Sequence, residues 1–269
     1  MNNNEHIDDQ VPQDHPRYQS LTYRHKIIEG MKDLVVAEAG LIAHGRGECF
    51  DYILGEKTND IAKRAMRAAV ALLLISKNPI ISVNGNTAVL VPDELVKLSK
   101  EVNAPLEINL FYRREGRVEA ITTVLKNAGA TDLLGTDESK MVEIKELSSN
   151  RRLVDPNGIK IADTVFVPLE DGDRTEALKK MDRNVIAVDL NPISRTAIWA
   201  DITIIDNIIR VLPEMINITK ELKQLSEKEL KKIVDEFDNK KNIQETLELI
   251  KEYIETQKEE AFKILVDKI

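Results

Sequence analysis

The side chains best equipped for chemistry in this chain sit in short polar strings. In HGRGE, Arg46 stands between Gly45 and Gly47, where a backbone can approach a ligand closely and a guanidinium can grip phosphate through paired hydrogen bonds. The competing reading is a solvated turn. In NGN, Asn84 and Asn86 flank Gly85 and offer amide donors, although Asn-Gly is also an ordinary tight-turn pair. EDGDR crowds Glu170, Asp171 and Asp173 beside Arg174, and clustered carboxylates repel unless a cation relieves them. Magnesium, held by one or two of them together with a phosphate ligand, is one solution. The other is a helix starting at Arg174, capped by Asp173, with Asp171 in the turn. In DLNPISRTA, Asp189 can accept hydrogen bonds from a ribose while Arg195 and Thr196 reach phosphate, or else Asn191 caps a helix with Pro192 in its first turn.

Those strings must be positioned by the elements that precede them. TVFVPL, VIAVDL and ITIIDN are short runs rich in valine and isoleucine, the pattern of buried strands in a parallel sheet. Ligands of such sheets bind outside the carboxyl ends of the strands. Asp171, Asp173, Arg174, Asp189, Asn191, Arg195, Thr196 and Asn207 are therefore expected along one edge. Upstream, PIISVNGN and LEINLF predict two more strands, with helices over PDELVKLSKEV, where Pro92 sits in the first turn, and over GRVEAITTVLKNAG, closed by Gly129. An amphipathic helix is predicted from about 17 to 36, a loop over AGLIAHGRGE, and a second helix from about Thr58. Residues 131–160 show no clear period beyond a DPNG turn. Everything from about Ile208 onward predicts helix, ending in a lysine- and glutamate-rich amphipathic stretch. The expected organisation is a tail over 1–14, an α/β domain over 15–225 and a helical extension over 226–269.

Composition narrows the function classes. Hydrophobic residues make up 42% of 269 and charged residues 31%, as in proteins with a real core. No run approaches the ~20 apolar residues of a membrane span, and the N-terminus lacks the basic and apolar segments of a secretory signal. Cys49 is the single cysteine, which excludes an internal disulfide and a cysteine metal cluster. The cytoplasm is the compartment these features suit. A net charge of -8 argues against nucleic acid as the main partner but not against small anions gripped by local arginines. Neither GxGxxG nor GxxxxGK[ST] is present, so any nucleotide must be held in a less common way. No histidine pair has zinc-binding spacing.

Taken in order, HPRYQSLTYRHKIIEGM, AGLIAHGRGECFDYILGE, NPIISVNGNTAVLVPDELVKL, EINLFYRREGRVE, VPLEDGDRTEAL and VIAVDLNPISRTA resemble archaeal phosphopantothenate synthetase, also called 4-phosphopantoate–β-alanine ligase. The resemblance spans about Pro16 to Leu225. It implies a Rossmann-like sheet without the glycine fingerprint and a homodimer. The activity it implies condenses 4-phosphopantoate with β-alanine and cleaves ATP to AMP and pyrophosphate, on the route to coenzyme A. Carried over motif by motif, ATP contacts are implied at Arg24, Arg46, Asp189, Leu190, Asn191, Arg195, Thr196, Asn207 and Ile208. The chemistry then assigns Arg24, Arg46 and Arg195 to the charge of the departing pyrophosphate, Asp171 or Asp173 to Mg2+, and Asn84 and Asn86 to phosphopantoate. No general base for β-alanine is identifiable from the string.

Overall fold

A computed structural model describes residues 11–266 apart from 16 and 148, with side chains to residue 260. The tail expected over 1–14 lies largely outside the described residues. Six strands form one parallel sheet: β1 (Pro79–Val83), β2 (Leu106–Ile108), β3 (Leu133–Leu134), β6 (Thr164–Pro168), β7 (Asn184–Val188) and β8 (Ile202–Ile204). Two further strands, β4 (Val142–Glu143) and β5 (Leu153–Val154), pair antiparallel as a separate ribbon. The spatial order is β3-β2-β1-β6-β7-β8. This is the order of dinucleotide-binding α/β folds, whose strand sequence reverses direction between the two central strands. The α/β, Rossmann-like reading holds.

Side chains alternate across this sheet as the pleat requires. Ile81, Val83, Phe166, Ile186 and Val188 enter the larger core, and Ile80, Val165, Val167, Val185 and Ala187 enter the smaller one behind the sheet. The larger core is closed by α3 (Asp60–Ile75), α5 (Pro92–Val102), α6 (Arg117–Asn127) and α9 (Ile208–Leu222). The smaller is closed by α7 (Gly172–Lys180) and by the segment 144–162. Three positions on the smaller-core side are polar: Ser82 of β1, Glu107 of β2 and Thr203 of β8, all buried.

The expected helices form with caps as predicted at several ends. Asn59 accepts from the Ala62 amide to start α3, and Pro92 occupies the first turn of α5. Others differ. AGLIAHGRGE is not a loop but part of α2 (Glu38–Ile53), which follows α1 (Tyr18–Lys32). Three glycines weigh against a helix locally by about 1 kcal/mol each, but packing overrides that preference. A Cβ on Gly40 would lie 2.3 Å from the Asn86 Oδ1, so the small residues of α2 are what let the helix sit on the strand ends. In EDGDR the cap is Asp171, which accepts from the Arg174 amide, and α7 begins at Gly172. In DLNPISRTA the cap is Ser194, ahead of α8 (Arg195–Trp199), while Asn191 turns back on the Ile193 amide.

The last helices, α10 (Glu227–Asp235) and α11 (Asn239–Val266), return to the sheet. Leu230 joins the larger core, and Ile250 packs with Leu54, Leu190 and Ile205. The Asn239 Oδ1 accepts from the Thr203 amide at 2.9 Å, and the Asn242 Nδ2 donates to the Thr203 carbonyl at 2.8 Å. Edge strand β8 is thereby covered, which removes an open hydrogen-bonding edge.

Candidate active site

Each strand of the main sheet except β3 delivers a residue to one cavity at its carboxyl end. Asn84 follows β1, Leu110 follows β2, Leu169 follows β6, Leu190 follows β7 and Asn207 follows β8, and all five line a cavity of about 210 Å³. Its roof is one face of α2, where Gly40, Ala43, His44, Gly47 and Glu48 recur at helical spacing. The far end holds Phe111, Tyr112, Arg117 and Arg151. A second cavity of about 220 Å³ adjoins it, lined by Tyr23, Asp51, Tyr52 and Arg210 among others. His44, Glu48 and Asn207 line both, so the two cavities meet at these side chains.

The strand-order reversal lies under the first cavity and is held by Asn84. Its Oδ1 accepts from the Thr87 amide, starting α4 (Gly85–Leu90), and its Nδ2 donates to the carbonyls of Pro168 at 3.0 Å and Leu169 at 3.1 Å. Leu169 has φ +54°, a left-handed conformation that costs a residue with a Cβ about 1–3 kcal/mol. The Asn84 amide fixes that strained corner. Next to it, Gly85 is required by space, since a Cβ there would lie 2.1 Å from the Val35 carbonyl oxygen.

Below the cavity runs a chain of buried charges. The Glu170 carboxylate pairs with Arg151 and accepts from the Arg174 Nη1 at 2.7 Å, and Arg174 also donates to the Ser82 Oγ at 3.0 Å. Arg174 is fully buried. Burial pulls both guanidiniums below the usual arginine range. Glu107 accepts from the amides of Asp155 at 3.0 Å and Ile159 at 2.6 Å; burial still raises it to about 7, although those amides and the Arg174 charge pull the other way.

A second polar group holds Asn207 beneath the shared wall. The Asn207 Nδ2 donates to the Asp51 Oδ2 at 2.7 Å, and Arg210 bridges Asp51 and Asp206. Burial pushes Arg210 down, but the two carboxylates outweigh it and its net shift is upward. Above, the Arg24 Nη2 meets the Glu48 Oε2 at 3.0 Å. Burial lowers the His44 imidazole, with Glu48 opposing and Arg24 reinforcing, and its Nε2 is buried without a hydrogen-bond partner among the described residues.

The profile of the phosphopantothenate/pantothenate synthetase family matches residues 61–253. A 4-phosphopantoate–β-alanine ligase of Thermococcus onnurineus is 55% identical over 238 residues, covering 88% of this chain and 90% of its own. The chain belongs to the phosphopantothenate/pantothenate synthetase family. Relatives of the same name from Thermococcus kodakarensis and Methanosarcina mazei are 53% and 46% identical, each across 93% of this chain and 96% or 98% of their own. The family match runs through α10 and into α11, past the Leu225 limit of the recognised motifs.

Within this family fold the residues singled out in the sequence fall into separate groups. Asn84, Asn86, Leu190, Asn207 and Ile208 line the first cavity together. Asp189 sits just beside it, its carboxylate accepting from the Asn191 amide and the Ser194 hydroxyl; burial raises it, and the charge of Arg46 acts against that rise. Arg46 itself is exposed on α2. Thr196 is buried, and its hydroxyl donates to the Glu170 carbonyl at 3.0 Å, which ties α8 to the β6–α7 corner. Asp171 and Asp173 part company: Asp171 turns its Oδ2 toward Arg151 at 3.4 Å, whereas Asp173 is an exposed partner of Arg195. Among the described residues, no group of three or more His, Cys, Asp or Glu side chains is arranged to hold a metal ion.

The sequence reading missed His44, Glu48, Arg117, Arg151 and Asp51. A signal for the first two existed: Ala37, Gly40, Ala43, His44, Gly47 and Glu48 follow a helical period, visible once HGRGE is taken as helix. The buried arginines had none, because their burial is created by elements distant in the chain.

Glu107 gives this charge chain a pH signature. The folded protein keeps its proton up to about 7, whereas the unfolded chain loses it near 4.5, so stability falls as pH rises through that interval. Glu107→Gln cannot titrate. Urea unfolding from pH 5 to pH 8 should show the variant gaining on the wild type as pH rises. A difference that stays constant with pH, or runs the other way, would place the Glu107 carboxyl in its ordinary range.

Proposed function

We propose that this protein is an ATP-dependent ligase that joins the carboxyl group of 4-phosphopantoate to the amine of β-alanine, giving phosphopantothenate for coenzyme A synthesis in the cytoplasm. The observation that carries the reading is the pair of adjoining cavities at the strand-order reversal in a chain 55% identical to a ligase of that name. A carboxylate is a poor acyl donor, so its oxygen first attacks the α-phosphorus of ATP and displaces pyrophosphate. The β-alanine amine then attacks the acyl carbon of the adenylate, and AMP leaves with the oxygen it received.

The residues divide this work. Asp189 and Asn191 hold the ribose side of the nucleotide, with Leu190 and Ile208 as apolar walls and Asn207 as a donor fixed by Asp51. Arg24, Arg46 and Arg195 offset the charge that develops on pyrophosphate, a task for preorganised cations. Arg195 must exchange Asp173 and Glu176 for phosphate to do so, since it pairs with both. Asn84 acts by holding the cavity floor, because both polar atoms of its side chain are taken by the protein. Asn86, whose Nδ2 donates to the Gly40 carbonyl, presents its edge to the acid. A magnesium ion fits Asp171 better than Asp173: the Asp171 Oδ2 is buried with no hydrogen-bond partner among the described residues. One hard carboxylate oxygen, completed by phosphate and water, is a normal set for this ion. When bound, it adds to the neutralisation of pyrophosphate.

We also propose a homodimer. Ile198 and Trp199 on α8 and Leu247 and Ile254 on α11 are exposed apolar residues, and α8 packs beside α11. Exposed apolar residues on neighbouring helices favour a contact surface, and two-fold pairing is the commonest way to cover one.

Purified protein supplied with ATP, magnesium, 4-phosphopantoate and β-alanine should release AMP and pyrophosphate in step with amide product, and none of the three without the acid. Release of ADP and phosphate instead would eliminate the adenylate route. Light scattering should return twice the 30.4 kDa chain mass, and the mass of one chain would eliminate the dimer.

A further inference from the structure

The two arginines at the far end of the first cavity have no part in the scheme above, yet they are its most unusual lining. Arg117 is 6% exposed and Arg151 7% exposed. Arg117 spends its donors on neutral groups, the carbonyls of Leu34, Val35 and Tyr112, with the Val35 contact at 2.8 Å. No carboxylate among the described residues forms an ion pair with it, and the charge that acts on it is another arginine, Arg114. Arg151 is close enough to feel the charge of Arg117. It shares Glu170 with Arg174, has Asp171 as a second carboxylate at 3.4 Å, and its Nε makes no hydrogen bond among the described residues. Buried cations in this state are costly unless an anion joins them. Arg151 and Arg174 are matched by Glu170 and Asp171, so Arg117, which has no carboxylate of its own among the described residues, leaves this end of the cavity net positive.

We infer that the Arg117–Arg151 end of this cavity is the phosphate subsite for the acid substrate, and that it directs the carboxyl group of that substrate to the His44–Asn207 junction. The inference rests on the ligase reading. It adds which end of the acid goes where and why the phosphorylated acid is chosen. The substrate is a short chain with an anion at each end and a carbon bearing two methyl groups between them. The cavity has the matching sequence of surfaces. Arginines stand at one end, Leu90, Leu110 and Leu169 along the wall, and the opening to the second cavity at the other. A phosphate seated on the arginines leaves the carboxylate at the mouth shared with the nucleotide, where it must be to attack the α-phosphorus. The nucleotide is the rival source of phosphate, but its proposed contacts, Asp189 and Asn207, follow β7 and β8. Arg117 opens α6 after β2, on the other side of the reversal, while Arg151 lies between the two sets against Glu170 and Asp171 after β6, so the ATP arm of the test separates the two sources.

The test is calorimetric binding of 4-phosphopantoate, of pantoate lacking the phosphate, and of ATP to the full-length wild type, Arg151→Gln and Arg151→Lys. Wild type should prefer the phosphorylated acid strongly. Arg151→Gln should weaken that acid by at least about tenfold, as expected for a lost charge-assisted contact, and leave pantoate and ATP unchanged. Arg151→Lys should recover part of the loss. Unchanged ATP binding also reports that each variant is folded. In the wild type, inorganic phosphate should compete with 4-phosphopantoate and not with ATP, an arm that needs no variant. Several results would overturn the inference: equal wild-type affinity for the two acids, equal weakening of both by Arg151→Gln, loss of ATP binding alone, or no competition by phosphate. AMP formation by the wild type, measured separately, decides whether the ligase reading stands when the subsite does not.

Discussion

Glu170 is the group on which the rest of the site depends. Its carboxylate faces the buried guanidiniums of Arg151 and Arg174 and accepts from the Asp171 amide at 2.9 Å, while its carbonyl accepts from Thr196. One residue at the end of β6 thus connects the cavity floor, helix α7, helix α8 and, through Arg174, Ser82 of β1. Removing one partner of such a buried pair costs about 3–5 kcal/mol because the remaining charge is left uncompensated. The same low-dielectric setting that makes the network costly gives it reach, since charges there are weakly screened.

The fold supplies the geometry that this network needs. A parallel sheet whose order reverses between β1 and β6 opens a crevice where connections diverge to opposite faces. In many folds of this kind, glycines let a helix N-terminus meet phosphate. Here the crevice is closed by α2, whose Gly40 and Gly47 allow close packing, and by Arg117 of α6 and Arg151 of the segment before β5. Under the proposed function these guanidiniums take the part that backbone amides play in such folds, in keeping with the missing fingerprint.

How far the sequence discloses this depends on the range of the interaction that decides each feature. The runs TVFVPL, VIAVDL and ITIIDN are strands because they are apolar throughout, a local property, and the polar residues after them do gather at one edge. The cap at Asp171 rather than Asp173 turns on a shift of two residues, which local preference cannot separate in EDGDR. AGLIAHGRGE is helical against its own propensity because Asn86 and Leu190, which follow strands distant in the chain, meet its Gly40 and Gly47. The segment 131–160 forms two-residue strands and short 3-10 turns, too brief for any period to register. Asp189, Asn191 and Asn207 were legible as strand-end residues, whereas Leu190 came only from the family resemblance. Arg117 and Arg151 were not, because nothing in GRVE or NRR says that either side chain will be covered.

The central claim is that the carboxylate of the acid meets the α-phosphorus of the nucleotide where the two cavities join. Oxygen transfer tests it most directly. With 4-phosphopantoate labelled with 18O in its carboxyl group, mass spectrometry of a complete reaction should find one labelled oxygen in the AMP released and none in pyrophosphate. Label appearing in inorganic phosphate, or unlabelled AMP alongside amide product, would contradict the account.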